Sequence, residues 1–204
     1  MIHLNNVHKT IKRKNVLTNI NLSFEKGKLY LLKGQNGSGK TMLLRLLCGL
    51  LKPDKGQISQ PKSRYGVMIE NPHFVEHETG RQNLEFLASI QKKITMPEIE
   101  TTLKKLNLLE VADTKVKTYT LGMKQRLAFC QAIMEDPDVL LLDEPFNTLD
   151  EESLKLTIKI LTKMKPNKII IIAAHGHNLQ DYPIFDEIIT LCNGKITSIE
   201  NYQR

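Results

Sequence analysis

The chain has 204 residues, 41% hydrophobic and 25% charged, enough for one core with an appended subdomain but too little for two large domains. Its formal net charge of +7 suits nucleic acid, an anionic membrane surface or a nucleotide, and does not choose among them. The three cysteines, Cys48, Cys130 and Cys192, form no C-x-x-C pair or Cys/His cluster, which argues against a disulfide framework or a zinc site and for a reducing compartment.

From the start of the chain, Met1 to Asn6 shows no basic region leading into an apolar core, so no secretory signal is expected. Ile20, Leu22 and Phe24 alternate with polar residues as a half-buried strand does. After Gly27, the apolar run Leu29 to Leu32 reads as a fully buried strand. A glycine-rich loop follows, then an expected helix over 41–51 with Leu43, Leu44, Leu47 and Leu51 on one face. Pro53, Asp54 and Gly56 mark a turn, and strands are expected near Ile58 and over 65–69. Residues from about 80 to 135 read as helices, with a capping-box spacing at Thr95–Glu98 and a proline in the first turn. Beyond Pro137, Val139 to Leu142 reads as a buried strand, 151–164 as an amphipathic helix, and 168–174 as another interior strand. Asn193-Gly194, between two alternating segments, signals a hairpin.

This order predicts an α/β core around a largely parallel sheet, with antiparallel strands added at the start and the end and a helical block inserted near 78–136. The whole of 1–204 is expected to form a single domain. Its longest apolar run, Ile169 to Ala174, is far short of the roughly 20 residues that span a bilayer. A soluble protein is expected, one that serves a membrane only through another chain.

Two motifs carry chemistry. Gly34-Gln35-Asn36-Gly37-Ser38-Gly39-Lys40-Thr41 fits G-x-x-x-x-G-K-[ST] in full, between an expected strand and an expected helix. Such glycines let successive N–H groups turn inward around phosphate oxygens, and the helix N-terminus adds partial positive charge. Lys40 would reach the β- and γ-phosphates, and the Thr41 hydroxyl would ligate Mg²⁺. In the second motif, the strand Val139 to Leu142 ends in Asp143 and Glu144. Two carboxylates closing an apolar strand are costly unless a cation or a donor awaits them. Asp143 would hold Mg²⁺, and Glu144 would orient or deprotonate the water that attacks the γ-phosphate.

Thr120-Leu-Gly-Met-Lys-Gln-Arg126 upstream of Asp143, and Asn147-Thr-Leu-Asp150 after Glu144, complete a set that resembles the ABC ATPases. Their signature has the form L-S-G-G-Q-x-Q-R and their D-loop S-x-x-L-D. The likeness runs from Ile20 to Gly194, and the order of the motifs is more specific than any one of them. Met68-Ile-Glu70-Asn-Pro72, Thr79 to Leu84 and Leu121 to Arg126 further resemble the bacitracin- and lantibiotic-resistance exporters.

The resemblance implies an ATP-hydrolysing subunit of a transporter, with ATP and Mg²⁺ as ligands. It would act as a homodimer, or paired with a related ATPase subunit, against a separate integral membrane permease on the cytoplasmic face. Thr120 and Gly122 would complete the nucleotide site of a second chain, with Asp150 in the D-loop beside them. Glu70 stands where most of the family has the Q-loop glutamine; a carboxylate can still ligate Mg²⁺ but adds negative charge near the γ-phosphate. His175, or His177 if the strand ends two residues later, matches the switch histidine that contacts the γ-phosphate. The family's adenine-stacking aromatic is missing, with Ile11 at the matching place; Lys12-Arg13-Lys14 beside it reads as a solvated loop or a phosphate or lipid contact. Nucleic acid is not an expected partner. The rival reading is a non-transport ABC ATPase, associated with nucleic acid or with iron–sulfur assembly. Sustained heptads of an SMC-like arm do not occur, and the ribosomal members usually carry two ATPase domains in one chain where one is expected here.

Overall fold

The computed structural model describes residues 1–70, 73–175 and 184–202. In chain order its strands are β1 (Ile2–Ile11), β2 (Lys14–Phe24), β3 (Lys28–Lys33), β4 (Lys55–Ser59), β5 (Tyr65–Met68), β6 (Val139–Asp143), β7 (Ile169–Ala174), β8 (Glu187–Cys192) and β9 (Lys195–Asn201). The helices are α1 (Lys40–Leu47), α2 (Gly80–Gln91), α3 (Met96–Lys105), α4 (Leu121–Ile133) and α5 (Glu151–Met164).

A six-stranded sheet runs β5-β6-β7-β3-β8-β9, parallel throughout except for the β8–β9 hairpin. A separate antiparallel sheet runs β2-β1-β4. The chain is an α/β protein with the largely parallel core that the order of motifs predicts.

Both faces of the large sheet are covered, which is why β3, β6 and β7 read as continuous apolar runs. Leu29, Leu31, Leu140, Leu142, Ile170 and Ile172 face the cluster that also holds α2, α3 and α4. Tyr30, Leu32, Leu141, Ile171 and Ala173 point the other way, into a cluster with α1 and the small sheet. Each of these large side chains is almost fully buried, and each such burial is worth about 1.5–3 kcal/mol before entropic costs. The sheet is therefore a rigid floor for whatever sits at its edges.

The helical block packs as local rules direct. Thr79 caps α2 by accepting from the Gln82 N–H while the Gln82 side chain accepts from the Thr79 N–H. In α3 the expected box is present, with Glu98 Oε2 accepting from the Thr95 N–H at 2.7 Å.

Two expectations need correction. The first strand, β1, has no counterpart in the sequence reading. Its pairing with β2 is irregular between Leu4 and Val7 and again up to Thr10, and Asn6 has φ 48°. The buried positions Ile2, Leu4 and Val7 consequently break the period of two. The helix expected over 41–51 stops at Leu47, because Gly49 turns at φ 78° and leaves Leu50 two-thirds exposed.

Candidate functional site

Strand register places the chemistry. Asp143 pairs with Ala173 and Lys33 with Ala174, so β3, β7 and β6 end level at their carboxyl edges. One residue further on stand Gly34, His175 and Glu144. Crevices outside the carboxyl ends of parallel strands are where open α/β sheets bind ligands.

The loop 34–39 leads from β3 into α1. Gly39, the N-cap of α1, offers no side-chain cap, so the first N–H groups of the helix have no intrahelical partner. A Cβ at Gly39 would lie 2.8 Å from Leu17 Cδ2 and 3.0 Å from Val16 O, at a φ of 111°; only glycine fits there. Lys40 is almost wholly buried. Its Nζ donates to Gly34 O at 2.7 Å and Gln35 O at 3.3 Å, a contact with the loop's own carbonyls. Ser38 Oγ is buried with no hydrogen-bond partner. A buried lysine and an orphaned hydroxyl under a curled loop are groups that phosphate oxygens would satisfy.

Thr41 Oγ1 donates to Asp143 Oδ2 at 2.6 Å, joining the two motifs across 102 residues. Burial pushes the Asp143 carboxyl above its usual range; the Thr41 bond opposes this, the neighbouring Glu144 charge adds to it, Lys40 opposes it and Glu70 adds to it. An oxygen pair of this kind suits Mg²⁺, which takes one or two protein oxygens and completes its shell with phosphates and water. Among the described residues no group of three or more His, Cys, Asp or Glu forms a metal cage by itself.

Glu144, at φ 50°, donates its N–H to Ala173 O at 2.8 Å. Its Oε1 meets His175 Nδ1 at 2.6 Å. His175 is thus brought to Glu144, while the alternative, His177, lies outside the described residues, as do Asn71 and Pro72 of the quoted motif. Glu70 forms an ion pair with Arg45 on α1. An open groove of about 570 Å³ runs along Lys33, Gly34–Ser38, His175 and Cys192. A smaller hollow of about 230 Å³ adjoins it, lined by Val16, Gly39, Lys40, Thr41, Asp143 and Glu144.

Glu70 lines neither hollow but a separate groove that also includes Arg45, and three further expected residues lie elsewhere. Thr120 is the N-cap of α4, accepting from the Met123 N–H at 3.2 Å. Gly122 sits in that helix's first turn, where a Cβ would come 3.1 Å from Thr148 O. Asp150 caps α5 through the Ser153 N–H at 2.7 Å, a bond that lowers its carboxyl below the usual range. None of the three lines either groove by Lys40. One tie connects them to the site: Gln125 Nε2 on α4 donates to Glu144 O at 2.9 Å.

The chain matches the ABC transporter family over residues 17–147. It belongs to that family. YybJ of Bacillus subtilis, an uncharacterized ABC transporter ATP-binding protein, is 40% identical over 204 residues, which are 95% of this chain and 90% of YybJ. BcrA of Enterococcus faecalis, a bacitracin transport ATP-binding protein, is 32% identical over 200 residues, 93% of this chain and 65% of BcrA. The fold superposes on a dimeric structure of MJ0796, a bacterial ABC transporter cassette, with a TM-score of 0.89 over all of both chains at 23% identity. As an ABC transporter ATP-binding subunit the chain is an ATPase whose ligands are ATP and Mg²⁺.

Some of this ABC subunit's site escaped the sequence reading. Gly194 N donates to Ser38 O at 2.9 Å and Thr18 N to Gly194 O at 2.8 Å, so the β8–β9 turn buttresses the loop 34–39 against β2. The Asn-Gly pair was legible as a turn, but not as a support. Val16, one residue short of the matched span, lines the hollow beside Lys40. Ile11 pairs with Lys14 at the end of β1, around a tip formed by Lys12 and Arg13. The Arg45–Glu70 pair had no local signal at all.

Proposed function

We propose that this chain, as one domain with its helical block near 78–136, powers export by hydrolysing two ATP molecules between a pair of ATPase subunits. The observation that carries it is the level ending of β3, β6 and β7, which gathers Lys40, Thr41, Asp143, Glu144 and His175 at one edge.

The loop Gly34, Gln35, Asn36, Gly37, Ser38, Gly39 cradles the phosphates, and Lys40 exchanges its two carbonyl contacts for β- and γ-phosphate oxygens. Thr41 and Asp143 would hold Mg²⁺, which would neutralise phosphate charge, and Glu70 would be a further oxygen donor to it once released from Arg45. Glu144 takes or orients the proton of the attacking water, held in place by His175, its peptide N–H and Gln125. Thr120, Gly122 and Asp150, away from Lys40 in their own chain, complete the site of the partner subunit. Two ATP molecules then hold the closed pair, and loss of the γ-phosphate contacts lets it part.

The membrane connection is through a separate permease. No helix among the described residues is long and apolar enough to cross a membrane. Leu50, Val75, Phe86 and Ile90 are nonetheless exposed, three of them around a groove of about 510 Å³, an apolar face suited to a partner chain. The chain would sit on the cytoplasmic face, with no nucleic-acid partner. The likeness to BcrA and the Glu70 and Leu121–Arg126 motifs support a peptide antibiotic or another hydrophobic compound as cargo.

Affinity purification from membranes, with ATPase assays alone, with the co-purified permease and with nucleic acid, tests the reading. Stimulation by the permease, and antibiotic sensitivity on deleting the chain, are the expected results. Stimulation by nucleic acid alone, or loss of nutrient uptake with unchanged antibiotic sensitivity, would defeat it.

A further inference from the structure

The helix α1 presents two polar side chains on one face, one turn apart. Thr41 donates to Asp143, and Arg45, four residues on, reaches Glu70 through Nη2 to Oε1. Glu70 follows β5, whose Met68 pairs with Leu142 of β6, so Glu70 leaves the sheet on the same edge as Glu144. Its φ of 61° turns the chain there. Glu70 thus adds a third carboxylate, outside the hollow that Asp143 and Glu144 line but near enough for its charge to act on Asp143, and a triphosphate would add more negative charge. Burial, reinforced by the Glu144 and Glu70 charges, already holds Asp143 above its usual range.

Arg45 offsets the third carboxylate. The pair is open to solvent, with side-chain exposures of 31% and 62%, so it is weak enough to be exchanged for a stronger contact. Thr41, which with Asp143 would hold a metal delivered with nucleotide, stands four residues from Arg45 on α1, about 6 Å along the axis.

We propose that Arg45 is a positioning residue of this site: its guanidinium holds the Glu70 carboxylate in the nucleotide-free chain and competes with Mg²⁺ for it when nucleotide binds. This rests on the reading of Glu70 as metal-facing. Arg45 keeps an extra negative charge from repelling the incoming triphosphate, and it sets the metal level at which Glu70 changes partner.

The test is equilibrium binding of a fluorescent, non-hydrolysable ATP analogue at graded Mg²⁺, comparing the native chain with Arg45→Gln, Arg45→Lys, Glu70→Gln and Arg45→Gln/Glu70→Gln. Arg45→Gln lowers the half-saturating Mg²⁺ by about two- to fivefold, the scale of an exposed ion pair. Arg45→Lys, which keeps the charge, stays near the native value. Glu70→Gln raises the Mg²⁺ requirement, and adding Arg45→Gln to it produces no further shift. If Glu70→Gln leaves the Mg²⁺ dependence unchanged, the metal-facing reading of Glu70 falls and takes the proposal with it. If Glu70→Gln does shift it, but Arg45→Gln acts equally in both backgrounds, fails to shift it, or raises the requirement, the competition alone is wrong.

Discussion

The His175 imidazole and the Glu144 carboxylate share a 2.6 Å hydrogen bond, Nδ1 to Oε1, across the ends of two adjacent strands. When the carboxylate accepts this bond, Nδ1 is the donor and Nε2 is the ring nitrogen left for another partner. The pair fixes the orientation of the group that would handle the water's proton.

Glu144→Gln keeps the shape and loses the basicity. Hydrolysis should drop at least about a hundredfold, within the range for a positioned general base. Nucleotide affinity should stay within about twofold, since binding and chemistry separate when only a transition-state role is removed. Size-exclusion chromatography with ATP should show a trapped dimer. His175→Ala should lower kcat more than it raises KM; an equal effect on both would assign it to binding.

Asp143 supplies a pH prediction. Its folded-state carboxyl lies above the unfolded value, chiefly through burial. The folded chain then binds a proton more tightly than the unfolded one, so stability falls as pH rises from the ordinary carboxylate range through the raised value. At neutral pH, with no nucleotide, ionised Asp143 therefore costs stability. Asp143→Asn should raise Tm at pH 7 by about 2–4 °C, if the cost is about 1 kcal/mol. The gain should shrink below about pH 4, where the carboxyl is protonated in both states. Mg²⁺-dependent hydrolysis should vanish in the same variant. A lower Tm at pH 7 would mean that the Thr41 bond outweighs burial.

What was legible in the sequence was what chemistry constrains locally. Gly34 to Thr41 must curl and donate, Val139 to Leu142 must be buried on both faces, and Asn193-Gly194 must turn, so each left its pattern in adjacent residues. What was hidden came from irregularity or distance. Bulges in β1 shift Val7 out of step with Ile2 and Leu4, and no window of alternation survives. Arg45 and Glu70 lie 25 residues apart, and only the register of β5 against β6 brings them together. The support that Gly194 gives to Ser38 depends on β8 returning beside β3, a topological fact no short segment records.

Lys40 makes a third prediction. Buried and donating to Gly34 O and Gln35 O, it would trade two neutral acceptors for charged phosphate oxygens if the loop binds nucleotide. A hydrogen bond to a charged group is worth about 1.5–3 kcal/mol. Lys40→Ala should therefore weaken ATP binding by roughly 10- to 150-fold on that scale, while Tm without nucleotide moves little. Unchanged affinity would move the phosphate site away from this loop.

The last prediction concerns where one site ends and the other begins. Gly122 is in the first turn of α4 and lines neither groove beside Lys40. Gly122→Asp places a negative charge where a partner's γ-phosphate would dock. ATP binding to the single chain should persist, since Lys40 and Thr41 are untouched, while ATP-dependent association and hydrolysis are lost. Mixing this variant with Lys40→Ala is the decisive arrangement. A mixed pair joins the intact phosphate loop of the Gly122→Asp chain to the intact α4 turn of the Lys40→Ala chain, so a site shared between chains regains part of its hydrolysis. A site built within one chain, which Gly122 does not line, leaves Gly122→Asp active on its own and gains nothing from mixing.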